Sequence, residues 1–572
     1  MRPLRLFACT LVAATSLGCA TPASKRGASD TPPDGAAQPG AIDAADASAD
    51  VPAPEPPPRG LPLPPGVAPA RRLLDGSWLL TGDSTSSCTH QDPPSGDRWC
   101  AFSHPNAALT ELWVMNVSQA ATGEVPRCDG TSPACIRLTA NLWTARPSSG
   151  PAYPYDDAFA GDTLILYAGG STTSAELHRG PVLAWRPGWS GARQITSNDG
   201  VLCNGHPRRA VVYCLDGVLG DPTKPDSVEL RAGLLATEPT AMLPSLGRFR
   251  PHRADGAVAY QIGFSRQGDL FAISSPDPAP TTESLRVMAT ADLGKAVPTE
   301  VLRDVTSWTI ANDARKIYFE RPAAGGLADL YAADFPAPST PIKLASGVQN
   351  YMVVGDGAAD HGVGFLVGGT GATSSFRLLR DSSMPATAVT WFTFHEAIED
   401  IRTSPDGLYA IWRDSTLVAR LVRSTDLASC VLNNRFGANT TPPRLLASSG
   451  LVFWTEDAAD NPERQDGWVA SPDGCQGKRR FAQGMYQLNQ PVGDRGLILG
   501  DEYDAADESV TLKYAAASSA GGAWRLAEPV RIEEHARPQV TLVGSNPLLV
   551  LFRKKLPGDQ QPGTHLFGPV PF

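Results

Sequence analysis

Beyond residue 71 the chain alternates short apolar runs with polar turns almost to its last residue. Short apolar runs bounded by Gly, Pro, Asp and Ser read as strands. The clearest case is IRTSPDGLYAIWRD, residues 401–414. Ser404-Pro405-Asp406-Gly407 makes a tight turn, because Pro presets φ near about −65° and Asp and Gly accept the backbone that follows. The turn feeds an apolar strand over residues 408–412. The best short helix candidate is 393–401, and no amphipathic helix longer than two turns stands out.

Similar units return at a spacing of roughly 45–50 residues, the range of repeat architectures. The first spans 73–139, with strands expected over 77–80, 111–117 and 136–139 and an insertion that carries Cys88 and Cys100. Later strands are expected at 162–167, 181–186 and 193–196, then at 210–214, then at 256–260 and 269–273. They continue at 314–319, 329–334 and 342–344, at 362–367 and 376–379, and at 417–422 after the opening stretch. The series ends with 450–454 and 467–469, 496–499 and 511–514, and a terminal run over 548–552. One such unit cannot bury its own faces, which is why it repeats. Two smaller β domains, such as stacked sandwiches, are the alternative. The steady spacing without a second linker favours one repeated domain.

This grammar resembles the WD40-like repeats of TolB-type β-propellers. The matching residues are Ser404-Pro405-Asp406-Gly407, Asp329-Leu330-Tyr331 with Asp334, and Glu111-Leu112-Trp113 leading to Asn116. The strand endings Arg137-Leu138-Thr139 and Gln194-Ile195-Thr196 match as well. Ser471-Pro472-Asp473-Gly474 has the turn letters after a strand instead of before one. The resemblance covers most of residues 72–570, and each copy is degenerate. It implies an all-β fold, a β-propeller of about eight four-stranded blades within a range of seven to ten. TolB-type propellers partner envelope protein complexes in the periplasm, and the resemblance implies a similar setting. None of their partner contacts carries over, because the matched motifs are structural.

Composition agrees with short strands and many turns: 54 Gly, 52 Pro and only 19% charged residues. A net charge of −10 argues against nucleic acid as a partner, which would need a basic patch.

The N terminus reads as a targeting signal over residues 1–18. Arg2 and Arg5 precede an apolar run over 6–17 that is too short for a permanent membrane helix. Ser16-Leu17-Gly18-Cys19 resembles a bacterial lipobox, although that family prefers Leu where Ser16 stands. The resemblance implies lipidation of Cys19 and, with Ala20 in place of Asp, sorting to the outer membrane. An ordinary secretory signal cleaved near Ala20 or Ala23 is the alternative. Residues 19–70 are rich in Ala, Pro, Asp and Gly and are expected to form a disordered tether, extended where Pro is dense. The propeller domain is expected over 71–572.

With Cys9 removed and Cys19 lipidated, eight cysteines remain, an even number that reads as disulfides in an exported chain. Local pairing gives Cys88–Cys100, Cys128–Cys135, Cys203–Cys214 and Cys430–Cys475. The last pair sits one repeat apart and is assigned because no other partner remains. No C-x₂-C spacing supports zinc.

Catalytic signatures are missing. There is no G-x-S-x-G elbow, H-E-x-x-H or P-loop, and no cofactor is implied. The acidic cluster Asp501, Glu502, Asp504, Asp507 and Glu508 is expected to be a solvated loop between strands, with loose calcium binding as the alternative. His206, His252 and His361 fall near unit starts and read as turn or surface histidines. Trp78, Trp113, Trp185, Trp308, Trp412, Trp454 and Trp468 recur within strands and read as core. Trp189, Trp391, Tyr153 and Tyr155 fall outside the pattern and are candidates for a ligand surface. The expected function is therefore non-catalytic: an envelope lipoprotein, anchored to membrane by lipid, whose propeller binds a protein, peptide or glycan. A hydrolase or lyase acting on polysaccharide is the competing class, and a purely structural envelope scaffold is the third.

Overall fold

The computed structural model describes residues 61–572 apart from connecting segments, the longest being 143–157, 168–181, 217–227, 250–259, 380–388 and 434–443. Residues 1–60 lie outside the described residues, and with them the expected signal, Cys19 and most of the tether.

The strands follow chain order in antiparallel sets of four, each bonded to the next. Six sets are separate sheets, spanning 79–142, 158–194, 200–249, 261–305, 398–433 and 444–485. Two larger sheets each join two sets through one long strand. Ile342–Val354 pairs with Ala328–Asp334 through its first half and with Gly362–Val367 through its second. Val530–Val543 does the same between Ser509–Ala520 and Leu549–Lys554. Ten sets thus occur among the described residues, at the top of the range of seven to ten expected around eight. The last set draws its fourth strand from the other end of the chain, where Arg71–Leu74 pairs antiparallel with Gly563–Phe567.

Strands with apolar residues on both faces must be covered on both faces. Each set packs against its neighbours to achieve this. Leu112 and Val114 of the first meet Leu164, Leu166 and Trp185 of the second. Leu215 and Leu230 of the third meet Phe271 and Ile273 of the fourth. Similar clusters join the fourth to the fifth and the fifth to the sixth. Others join the seventh, eighth, ninth and tenth in turn. Val543, Leu549 and Leu551 of the last set pack against Phe102 and Trp113 of the first. Most side-chain hydrogen bonds crossing between neighbouring sets join residues 42 to 51 positions apart, as from Thr309 to Tyr351 and from Arg495 to Asn546, although His206 reaches 60 positions to Arg266. This separation is the repeat period legible in the sequence. The all-β architecture fits a propeller-like fold.

Three disulfides form as expected: Cys88–Cys100, Cys128–Cys135 and Cys203–Cys214, with Cα separations of 4.0, 5.1 and 4.1 Å. Cys203 and Cys214 lie directly opposite each other in an antiparallel pair. Cys430 is itself in a disulfide, and Cys475 lies outside the described residues. These bridges suit an oxidising, exported compartment. Among the described residues no helix is long and apolar enough to cross a membrane.

Several expectations are corrected. The helix candidate 393–401 is divided between strands Val389–Phe394 and Ile398–Thr403; Val, Thr, Phe and Ile dominate there and favour sheet. Cys100 does not sit in an insertion but in strand Trp99–Asn106, which pairs along its length with Leu109–Asn116. The strand expected over 111–117 stops at Asn116, whose side chain accepts from the Gln119 amide and caps helix Val117–Thr122. Residues 61–70, expected in the tether, lie against the ninth and tenth sets. Leu61 bridges Val530 in parallel, and Leu63, Val67 and Ala70 pack into their shared core.

The junction between the first and last sets also sets a steric limit. Gly544 has φ +70°, and a Cβ there would collide with the guanidinium of Arg98, which donates to the Asn546 carbonyl at 3.0 Å. Gly558 has φ +90° with open space around it. Gly558→Ala should lower stability by about 1 kcal/mol, the backbone cost alone. Gly544→Ala should cost about 2–3 kcal/mol and give the larger drop in melting temperature, since Arg98 must also move.

Candidate functional site

In an antiparallel set of four, one end of the sheet carries the second-to-third hairpin and the crossing to the next set. Polar side chains gather at this end around the first strand of the fifth set, Ser307–Ile310. This strand is an edge, so its outer backbone groups need partners. Gln261 of the fourth set supplies them: its amide nitrogen donates to the Trp308 carbonyl at 2.8 Å, and its oxygen accepts from the Trp308 N–H at 3.3 Å.

On the opposite face, Ser307 and Thr309 point towards the sixth set. Tyr351, on the second half of Ile342–Val354, brings its hydroxyl within 3.4 Å of both their oxygens. The same hydroxyl donates to the Tyr318 carbonyl at 3.3 Å. Glu320 pairs across from Ser307 on strand Lys316–Pro322, so its carboxyl enters the same space. Burial raises the Glu320 carboxyl from its usual 4.5 to about 7, while burial and the Glu320 charge push the Tyr351 phenol up. A carboxyl that exchanges its proton near neutrality beside hydroxyls can bind polar ligands or act in proton transfer. Among the described residues no group of three or more His, Cys, Asp or Glu converges to hold a metal. Nothing in the sequence marked Glu320. It belongs to no motif, and only burial in the packed sets removes it from water.

The acidic cluster is corrected at Asp501. It surrounds the hairpin turn between Gly496–Asp504 and Ser509–Ala520, where Glu502, Asp504, Asp507 and Glu508 are exposed as expected and only Asp501 is buried. Asp501 turns inward and meets Lys513 at 2.7 Å, both of them buried. Burial outweighs the nearby lysine and raises the Asp501 carboxyl to about 6. Asp507 approaches His535 at 3.3 Å and Glu508 holds Arg537 at 2.7 Å, so the carboxylates face separate bases. His206 is buried, with its Nε2 at 3.0 Å from the Arg266 carbonyl; His252 and His361 lie outside the described residues. Trp189 is buried in the core between the first three sets instead of lining a ligand surface. Tyr153, Tyr155 and the Trp391 side chain lie outside the described residues. Trp78, Trp113, Trp185, Trp308 and Trp454 are buried as expected. Trp468 lies under the Lys478 ammonium at 4.6 Å, and the Trp412 side chain lies outside the described residues.

This geometry defines an all-β protein of successive antiparallel sheets whose first and last sets share a core. No family model matches the chain, and no curated protein matches it. Among solved structures it is similar to one described as the crystal structure of the eukaryotic initiation factor, at 9% identity and TM-score 0.40, covering 76% of this chain and 96% of that one. It is similar to a protein assigned as TolB from Agrobacterium tumefaciens at 14% identity and TM-score 0.26, covering 44% of this chain and 90% of that one. A prolyl endopeptidase matches at 11% identity and TM-score 0.32, over 68% of this chain and 55% of its own. At these identities and TM-scores the likenesses assign no activity.

Two outcomes are expected. Glu320 keeps its proton in the folded state up to about pH 7 but loses it near 4.5 when unfolded, so its contribution is full below 4.5 and is lost as pH rises towards 7. Glu320→Gln should therefore gain on the wild type across that window, by up to about 2 kcal/mol after allowance for partial exposure, in denaturant titrations at pH 4.5 and 7.5. Lys513→Met should strand a buried carboxylate and cost about 3–5 kcal/mol, whereas Asp501→Leu with Lys513→Met should recover most of the loss.

Proposed function

We propose that the ten sets are the blades of one closed β-propeller, held by lipid on Cys19 at the bacterial cell envelope, most consistent with the outer membrane. There it serves as a non-catalytic platform for a protein, peptide or glycan. The observation that carries this reading is the closing sheet, in which Arg71–Leu74 completes the set that ends near the C terminus. A ring closed in that way gives a rigid body, and its sheet ends collect connections from every set into one surface, where binding residues are typically displayed. The disulfides support an exported setting. A second reading, a hydrolase or lyase acting on polysaccharide, is favoured by one observation: Glu320 beside the Tyr351 hydroxyl.

The full chain expressed in a bacterium is expected to incorporate palmitate and to sediment with membranes. Cys19→Ser should abolish both, and a Cys19→Ser protein that still labels would sink the anchor. Incubation with envelope polysaccharides should give retention without new reducing ends or unsaturated sugars. Their appearance, and their loss in Glu320→Gln, would establish the enzymatic reading instead.

A further inference from the structure

Residues 61–74 form a strap over the closing sheet. The Leu61 N–H donates to the Pro529 carbonyl at 3.0 Å, and the Arg531 N–H donates to the Leu61 carbonyl at 2.8 Å. Leu63, Val67 and Ala70 then enter the core between the ninth and tenth sets. Finally Arg71–Leu74 pairs with Gly563–Phe567, with Arg72 directly opposite His565. Arg71 reaches on to the first set, donating to the carbonyls of Ala120 at 3.0 Å and Gly123 at 2.7 Å. The strap therefore touches the last two sets and the first.

His565 is only 4% exposed. Its ring stacks on Phe552 at 5.6 Å, and its Nε2 has no hydrogen-bond partner among the described residues. Four charged groups face it. Arg72 comes from the strap and Lys554 from Leu549–Lys554, while Glu533 comes from Val530–Val543 and Asp559 from the connection before Gly563. The two acids are already engaged: Asp559 holds Arg72 at 3.1 Å and Glu533 holds Lys554 at 2.7 Å. Arg553 lies alongside and donates to the Pro562 carbonyl at 2.8 Å. An imidazolium here would be buried, with no uncommitted carboxylate among the described groups facing it and with Arg72 across the strand pair.

We propose that residues 61–74 are a pH-sensitive latch, which protonation of His565 loosens from the closing sheet. Neutral imidazole packs against Phe552 as an aromatic ring. The charged ring is better accommodated once Arg72 has withdrawn and water can reach it. Burial, Arg72 and Lys554 all hold this histidine below its usual 6.5, against the opposite pull of Glu533 and Asp559. The latched state thus binds the proton more weakly than the released one, and latching weakens as pH falls below about 6.5.

Hydrogen exchange on the full chain tests this, with amide protection in 61–74 and 563–567 corrected for intrinsic rates at pH 7.5 and 5.5. Protection should fall by up to about tenfold at pH 5.5, the ceiling for one histidine with a released pKa near 6.5. The central sheets should hold theirs. His565→Phe keeps the ring and should remove the pH dependence, and Arg72→Gln should shrink it. Protection in the wild type that does not change with pH, or that falls equally in every sheet, would overturn the latch even if His565→Phe fails to fold. So would an unchanged pH dependence in a folded His565→Phe protein.

Discussion

A sheet that is apolar on both faces has no stable existence in water by itself. Strand Val211–Asp216 is buried at every position, and Leu451–Asp457 at its first five. Each set is therefore soluble only between two others. A linear stack of such sets would leave one bare face at each end. Here the face of the first set bearing Phe102 and Trp113 is covered by Leu549 and Leu551 from the last. Much else in the molecule follows from that cover, including the strand drawn from residues 71–74 and the glycine that makes room for Arg98.

Burying faces creates a second problem at the edges and seams, where polar groups lose water. The solutions are local. A Gln261 side chain stands in for a missing neighbour strand at Trp308. The Tyr351 hydroxyl bridges two sets at Ser307 and Thr309. Lys513 and Asp501 neutralise each other inside a hairpin. Where the solution is incomplete, as at Glu320 or His565, burial moves the proton equilibrium, and it does so at Asp501 even beside Lys513. The same packing that makes the body stable thus makes a few of its groups responsive.

The architecture was legible in the chain because strand periodicity and turn chemistry are local. Residues 162–167, 210–214 and 496–499 announced strands, and the spacing of units reappears in the hydrogen bonds between sets. The three local disulfides were legible because their cysteines flank turns or short strands. What remained hidden depends on neighbours distant in sequence. Residues 61–70 look like linker because Pro dominates them, yet Leu63 and Val67 find a core supplied nearly 500 residues later. Asp501 looks like part of a solvated acidic run until Lys513 is placed beneath it. Glu320 and Tyr351 carry no motif. They become a candidate site only because two sets meet there.

The closing sheet also bears on the order in which the molecule can assemble. Arg71 pairs with Leu566, so one strand of this sheet is made nearly 500 residues before its partner. Until the last strands exist, Leu73, Leu74, Phe102 and Trp113 have no cover, and the nascent chain carries an open apolar face throughout. The entropy of closing so long a loop grows only logarithmically with length, so the final step is hindered less by distance than by that waiting surface. A chain built this way depends on protection during its manufacture that the finished molecule no longer needs.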